Sequence, residues 1–233
     1  MSISIIISMY RTDQHLDRFL YDALKLSRAL KLADIDHNFI LIVNDGTKKE
    51  RSALANLANP FKVLFVDREP IYASWNRGIK EAEGKFVTFW GVDDTRFAKA
   101  IIDGLNALQN SRADIAYFPF RYHRFVQIVG LKILAKVKTF TPPKFEKERF
   151  LKEMHLGPHF ITRRALFERI GYFDESFKIA GDYEFQTRAA KADACLVRVL
   201  STSGIFRNDG TTLSGSRNKL QAEENERVYS KII

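Results

Sequence analysis

The 233-residue chain carries 37 Lys and Arg against 28 Asp and Glu, a formal charge of +9, with 45% apolar residues and a single cysteine. That size suits one large domain with a substantial core. One cysteine excludes an internal disulfide, and no run approaches the ~20 uncharged apolar residues of a membrane-spanning helix. The excess positive charge points to an anionic partner: lipid, nucleic acid or a phosphorylated substrate.

The opening Met1-Ser-Ile-Ser-Ile-Ile-Ile-Ser8 lacks a basic leader, so no signal peptide is expected. Its β-branched run over 2–8 reads as a strand buried on both faces. Apolar residues at helical spacing (Leu16, Phe19, Leu20, Ala23, Leu24) predict a helix over ~13–33, with Asp13 in the N-cap position. A strand at 39–43 ends in Asn44-Asp45-Gly46. A helix over ~48–58, a strand at 62–66, a helix over ~71–83 closed by Gly84 and a strand at 86–90 follow. A helix over ~96–110 and a strand at 115–118 complete this half. Strands alternating with helices imply right-handed crossovers and a mainly parallel sheet.

After residue 118 the pattern changes. Residues 121–149 carry eight Lys and Arg against Glu146 and Glu148, interleaved with aromatic and aliphatic residues. This segment reads either as a hairpin or as a basic amphipathic helix, and either as a solvated edge or as a surface for membrane or acceptor. Cys195 is expected as a small buried apolar residue.

Ser8 and Asp45 end the first two strands, where α/β sheets form their ligand crevice; Asn44-Asp45-Gly46-Thr47 is equally a good turn. Asp93 and Asp94 end the fourth strand. Adjacent carboxylates there suit a hard divalent cation bound together with substrate phosphates, whereas capping the next helix requires only one acid. Asp182, after Gly181 at the start of a helix running to about 191, suits either a cap or a general base. With Asp45 and Asp93 it suggests displacement of a nucleoside diphosphate by a hydroxyl nucleophile. Trp75 reads either as core or as a wall of the donor pocket, and Trp90 as core.

Four blocks, in order, resemble the family 2 glycosyltransferases of the GT-A fold, which build bacterial surface polysaccharides. They are Ser4-Ile-Ile-Ile-Ser-Met-Tyr10, Ile40-Leu-Ile-Val-Asn-Asp-Gly-Thr47, Pro70 to Ile79 followed by Val92-Asp-Asp94, and Ile170 to Arg188. The sequence departs from the common pattern at Trp75, where many relatives have arginine, and at Asn44, where the first acid of a pair is usual. The resemblance implies an α/β, doubly wound, mainly parallel sheet flanked by helices, with a small antiparallel or irregular acceptor-side region. It implies one GT-A domain over 1–233, with residues 1–118 binding the nucleotide-sugar and 119–233 facing the acceptor.

The implied activity is inverting, metal-dependent transfer from a nucleotide-diphospho-sugar, UDP-sugar favoured, to a hydroxyl of a glycan or lipid-linked acceptor. Donor contacts fall on Ser8, Tyr10, Asp45, Trp75, Asn76 and Asp93, the Mn²⁺ or Mg²⁺ site on Asp93 and Asp94, and the base on Asp182. His159, Arg207 and Asn208 are candidate acceptor or diphosphate contacts, the last two in the loop 206–214. The expected setting is the cytoplasm or the inner face of the cell membrane, with an anionic membrane surface but no nucleic acid as partner. The alternative is a nucleotidyltransferase or a non-catalytic sugar-nucleotide-binding protein on a similar fold.

Overall fold

The structure, a computed structural model, describes residues 1–209 and 219–231. In chain order the first half contains β1 (Ser2–Tyr10), α1 (Leu16–Leu32), β2 (Asp36–Asn44), α2 (Lys48–Leu54), β3 (Phe61–Val66), α3 (Ile71–Lys80), β4 (Phe86–Phe89), β5 (Thr95–Arg96), α4 (Ala98–Gln109) and β6 (Ile115–Tyr117). The second contains β7 (Phe120–Ile128), β8 (Leu131–Phe140), α5 (Lys147–Lys152), β9 (Ile161–Arg163), α6 (Arg164–Ile170), α7 (Gly181–Lys191), β10 (Leu196–Arg198), β11 (Gly204–Asn208) and α8 (Lys219–Ser230).

Seven strands form the main sheet in the order β10-β6-β9-β4-β1-β2-β3. Every pairing is parallel except those of β9, which runs against both β4 and β6. Alternation along β1 explains its place at the centre: Ile3, Ile5 and Ile7 face one layer of core and Ile6 the other. Fully burying such a side chain is worth about 1.5–3 kcal/mol. The first layer contains α1 and α4, with Phe19 edge-on to Trp90; the second contains α3 and α5 to α8. Trp90 is therefore core, 2% exposed.

Strands β5, β11, β7 and β8 form a second, four-stranded sheet in that order. Residues 120–140 are a hairpin rather than a helix, and all ten residues of β8 are exposed. The choice that periodicity left open is settled by pairing: β11 supplies a neighbour for β7, which gives its backbone groups partners.

Several local expectations change. His15, not Asp13, precedes α1; the Asp13 carboxylate instead accepts from Thr47 Oγ1 at 2.5 Å. Helix α3 stops at Lys80, and Gly84 serves packing instead, since a Cβ there would meet the Ser4 nitrogen at 2.5 Å. Helix α4 starts at Ala98 because Thr95 and Arg96 are taken up in β5. Cys195 is exposed; its carbonyl accepts from Asp114 and Ile115 at the entry to β10, and the side chain is left outside.

Candidate active site

The first group of candidate residues lies where β1, β2 and β3 finish. Ser8 is half-buried, Tyr10 lies at the surface between Arg11 and Arg68, and Asp45 is exposed with φ +44°. Aspartate tolerates that left-handed backbone, and the Asp45 N–H still donates to the Val66 carbonyl at 3.0 Å. Two residues that motif reading passed over hold these loops. Glu50, fully buried, accepts from the Thr12 N–H and Oγ1 (both 2.6 Å) and from the Thr47 N–H (2.8 Å). It thereby joins the loop after β1 to the loop after β2. Asn44, 2% exposed, donates to Ser74 Oγ (3.1 Å) and the Met9 carbonyl (3.2 Å) and accepts from the Glu69 N–H. An amide suits this buried position better than an acid, because it both donates and accepts.

The two acids after β4 approach one spot, since a Cβ on Gly91 would lie 3.0 Å from Asp93 Oδ1 and 3.2 Å from Asp94 Oδ2, but they differ in burial and partners. Asp94 is 4% exposed: Oδ1 accepts the Arg207 N–H at 2.9 Å and Oδ2 lies 3.4 Å from His159 Nε2. Burial pushes its carboxyl up to about 7, against the pull of the Arg207 N–H. Asp93 remains partly exposed, its carboxyl pushed up to about 6 by burial and then by the charge of Asp94. Arg18 donates to the Asp93 carbonyl at 2.7 Å, and Arg207 to the same carbonyl at 3.2 Å and to Thr95 Oγ1 at 2.7 Å. Two guanidinium groups thus gather at this strand end. Arg18 sits on the apolar-patterned α1, and nothing in its spacing announced the contact.

No group of three or more His, Cys, Asp or Glu capable of holding a metal occurs among the described residues. The donor set nevertheless fits a hard cation bound mainly through a diphosphate: Asp93 offers an oxygen ligand whose repulsion with Asp94 a positive charge would relieve. Asp94 is more deeply buried, and its Oδ1 is taken by the Arg207 N–H. His159 is 1% exposed, with Nδ1 3.1 Å from Ser203 Oγ, so it supports Asp94 from beneath rather than lining an acceptor surface. Burial, then the nearby Arg96 charge, holds its imidazole well below the usual range and therefore neutral.

Asp182 lies in the first turn of α7 and is half-buried. Its Oδ1 accepts the Tyr183 N–H at 2.9 Å and lies 3.4 Å from Tyr72 Oη, which donates to the Ile179 carbonyl at 2.7 Å. Burial raises this carboxyl to about 6. Gly181 is required beside it, since a Cβ would stand 2.6 Å from the Tyr72 ring. The loop before α7 is clamped from α8: the Glu224 carboxylate, 5% exposed, accepts the N–H groups of Lys178, Ile179 and Ala180 at 2.8–2.9 Å.

The donor-helix residues turn to packing. Trp75 stacks on Phe89 at 4.3 Å and meets Tyr72 and Phe173 edge-on. Both ends of the Asn76 carboxamide are taken by the Phe173 backbone, at 2.9 and 3.0 Å. They tie α3 to the segment that leads to Asp182 rather than presenting the amide to a donor. Asn208 is 5% exposed and pairs in register with Arg124. The remainder of the loop expected to close over substrate, 210–214, lies outside the described residues.

Comparison with known proteins gives the family and the fold. The sequence profile of glycosyl transferase family 2 matches residues 4–172. An uncharacterised glycosyltransferase of Rickettsia prowazekii is 26% identical over 193 residues, covering 78% of this chain and 56% of that protein. A Mycobacterium tuberculosis glycosyltransferase of PGL/p-HBAD biosynthesis is 23% identical over 167 residues, covering 69% of this chain and 61% of that one. The chain thus spans little more than half the length of these relatives. Among solved structures, S. aureus TarS (1–349) in complex with UDP-GlcNAc superimposes with a TM-score of 0.70 at 17% identity, covering all of this chain and 71% of that one.

Proposed function

The chain belongs to glycosyl transferase family 2, and from that premise we propose that it is an inverting, metal-dependent transferase acting from a UDP-sugar in surface polysaccharide synthesis. The acceptor is a hydroxyl of a glycan or lipid-linked glycan, met by the 119–233 half while 1–118 binds the donor. The observation that carries the reading is a carboxyl at residue 182 raised to about 6, beside a tyrosine, in the first turn of a helix. A base of that strength is half-ionised near pH 6 and mostly carboxylate at neutral pH, a pKa close enough to the working pH for effective general-base assistance.

Ser8, Tyr10 and Asp45 hold the nucleoside at the ends of β1 and β2. Asp93, together with the donor's diphosphate and water, would hold Mn²⁺ or Mg²⁺, which would supply charge neutralisation for the leaving group. Arg207 faces the same charge from β11 while Asp94 and His159 hold that strand in place. Asp182 takes the proton of the acceptor hydroxyl as its oxygen attacks the anomeric carbon. The C–O bond to the diphosphate breaks on the opposite side, which inverts the configuration.

A UDP-GlcNAc complex of a protein that shares the fold supports a uridine donor. Titration calorimetry of UDP and GDP, each with and without Mn²⁺, tests the reading. UDP binding strengthened by the metal is expected; preference for GDP, or binding indifferent to metal, contradicts it.

A further inference from the structure

The β7–β8 hairpin carries side chains that the donor and base sites do not use. Cross-strand partners share a face of a sheet. The pairs Val126–Ile133 and Ile128–Leu131 therefore lie together at the free end, with Val129 in the turn. Leu131 is 68% exposed, Ile128 53% and Val129 96%. Single exposed aliphatics are ordinary, but four contiguous ones, with Ile133 at 43% and the half-buried Val126 beside them, are not.

The turn itself is unusual. Val129 has φ +47° and Gly130 φ +77°, a geometry that favours Asn-Gly, whereas a β-branched residue there is a genuine outlier. A strained and almost wholly exposed valine has no role in holding the hairpin together. Its methyl groups are available to something outside the chain.

Behind the tip, on the same face, come Arg124 opposite Lys136 and Tyr122 opposite Lys138. Residues 120–140 contain five Lys and Arg and no acid. At ~3.3 Å per residue the Arg124–Lys136 pair stands about 13 Å from the end of the strand. Amphipathic elements at a bilayer surface bury their apolar side roughly 5–10 Å deep, so these cations would sit at headgroup level.

We propose that this hairpin is a membrane-docking element whose aliphatic tip enters the acyl boundary and whose Arg124, Lys136 and Lys138 meet anionic lipid headgroups. A second copy of the chain is the poorer occupant. β8 is the open edge of its sheet, and edge pairing would set Lys132, Lys136 and Lys138 of one copy against cations of the other. No helix among the described residues is long and apolar enough to cross a membrane, so attachment through this hairpin is peripheral.

The opposite face of the hairpin turns to the site. Lys132 pairs with Asp209 at 2.6 Å, and Arg207, register partner of His123, reaches Asp93. Resting on the function proposed above, docking would bring the crevice to a lipid-linked acceptor.

The test is cosedimentation of the full chain with phosphatidylcholine vesicles, with and without phosphatidylglycerol, for wild type, Val129→Asp/Leu131→Asp and Lys136→Glu/Lys138→Glu. Wild type is expected to bind the anionic vesicles. The charge variant should bind at least about thirtyfold more weakly, from ~1 kcal/mol per surface cation. The tip variant should weaken at least tenfold, with melting temperature and UDP binding unchanged in both. Wild type failing to sediment with anionic vesicles in low salt, or both variants binding as wild type does, overturns the proposal. So does a tip variant that turns a dimer into a monomer while binding vesicles normally. The readout involves no sugar transfer, so an inactive protein that docks leaves this inference intact, and an active one that does not dock defeats it alone.

Discussion

Tyr72 Oη and Asp182 Oδ1 lie 3.4 Å apart, and the same hydroxyl donates to the Ile179 carbonyl at 2.7 Å. The first turn of α3 and the first turn of α7, from the two halves of the chain, thus meet at a single carboxyl. The hydroxyl's one proton goes chiefly to the nearer Ile179 carbonyl, and its weaker approach to the carboxyl lowers that group's pKa, while burial, the larger influence, raises it. Tyr72→Phe removes the lowering contribution. The acid limb of kcat/KM against pH, which reports the free enzyme, should therefore move above the wild-type position near 6, measured by steady-state transfer rates across pH 5–8; a limb that stays put or falls contradicts the pairing.

A carboxyl whose folded pKa is about 6, raised from 3.8, favours folding below pH 3.8 and loses that contribution as pH rises through 6. Asp182→Asn should accordingly melt higher than wild type at pH 7.5 and show little gain at pH 4. Calorimetric scans at the two pH values check this. Equal shifts at both would mean the side chain is not held out of water.

Glu224 positions the base loop from a distance. Glu224→Ala leaves three N–H donors of residues 178–180 without their acceptor, at a cost of about 3 kcal/mol or more, while Glu224→Gln retains one acceptor oxygen and costs less. Urea unfolding gives the two costs. Hydrogen exchange should rise at 178–182 in the alanine variant first, and unchanged protection there would show the clamp to be idle.

Asp93 and Asp94 should separate in their metal response. Asp93→Asn is expected to weaken Mn²⁺ activation at least tenfold. Asp94→Asn, whose oxygen still accepts from the Arg207 N–H, should leave Mn²⁺ affinity within about threefold. Titrating Mn²⁺ against donor hydrolysis distinguishes them, and matching losses in both variants would show that residue 94 turns outward to the ion.

Sequence periodicity carried the main sheet well. The β-branched run at Ser2–Ser8 and the glycine and aspartate stops mark strands whose two faces are both buried. Pairing across long distances left little local trace. Asp94 and Asp93 are neighbours of one type, and only the approach of Arg207 and His159, more than sixty residues away, buries one more deeply than the other. Asn76 looked like a donor contact because it belongs to a motif, yet its partner is the Phe173 backbone. Glu224 carries no motif, and Glu50 belongs only to the Thr47-Lys-Lys-Glu50 capping box, which announces the start of α2 but not the bonds from Thr12.

The most direct measurement is single-turnover sugar transfer by Asp182→Asn alongside its affinity for the UDP-sugar donor. Loss of transfer by 10²–10⁴ with donor affinity unchanged is the expected result. Transfer at the wild-type rate would mean that the proton of the acceptor hydroxyl leaves by another route, and residue 182 would then be no more than part of a helix start.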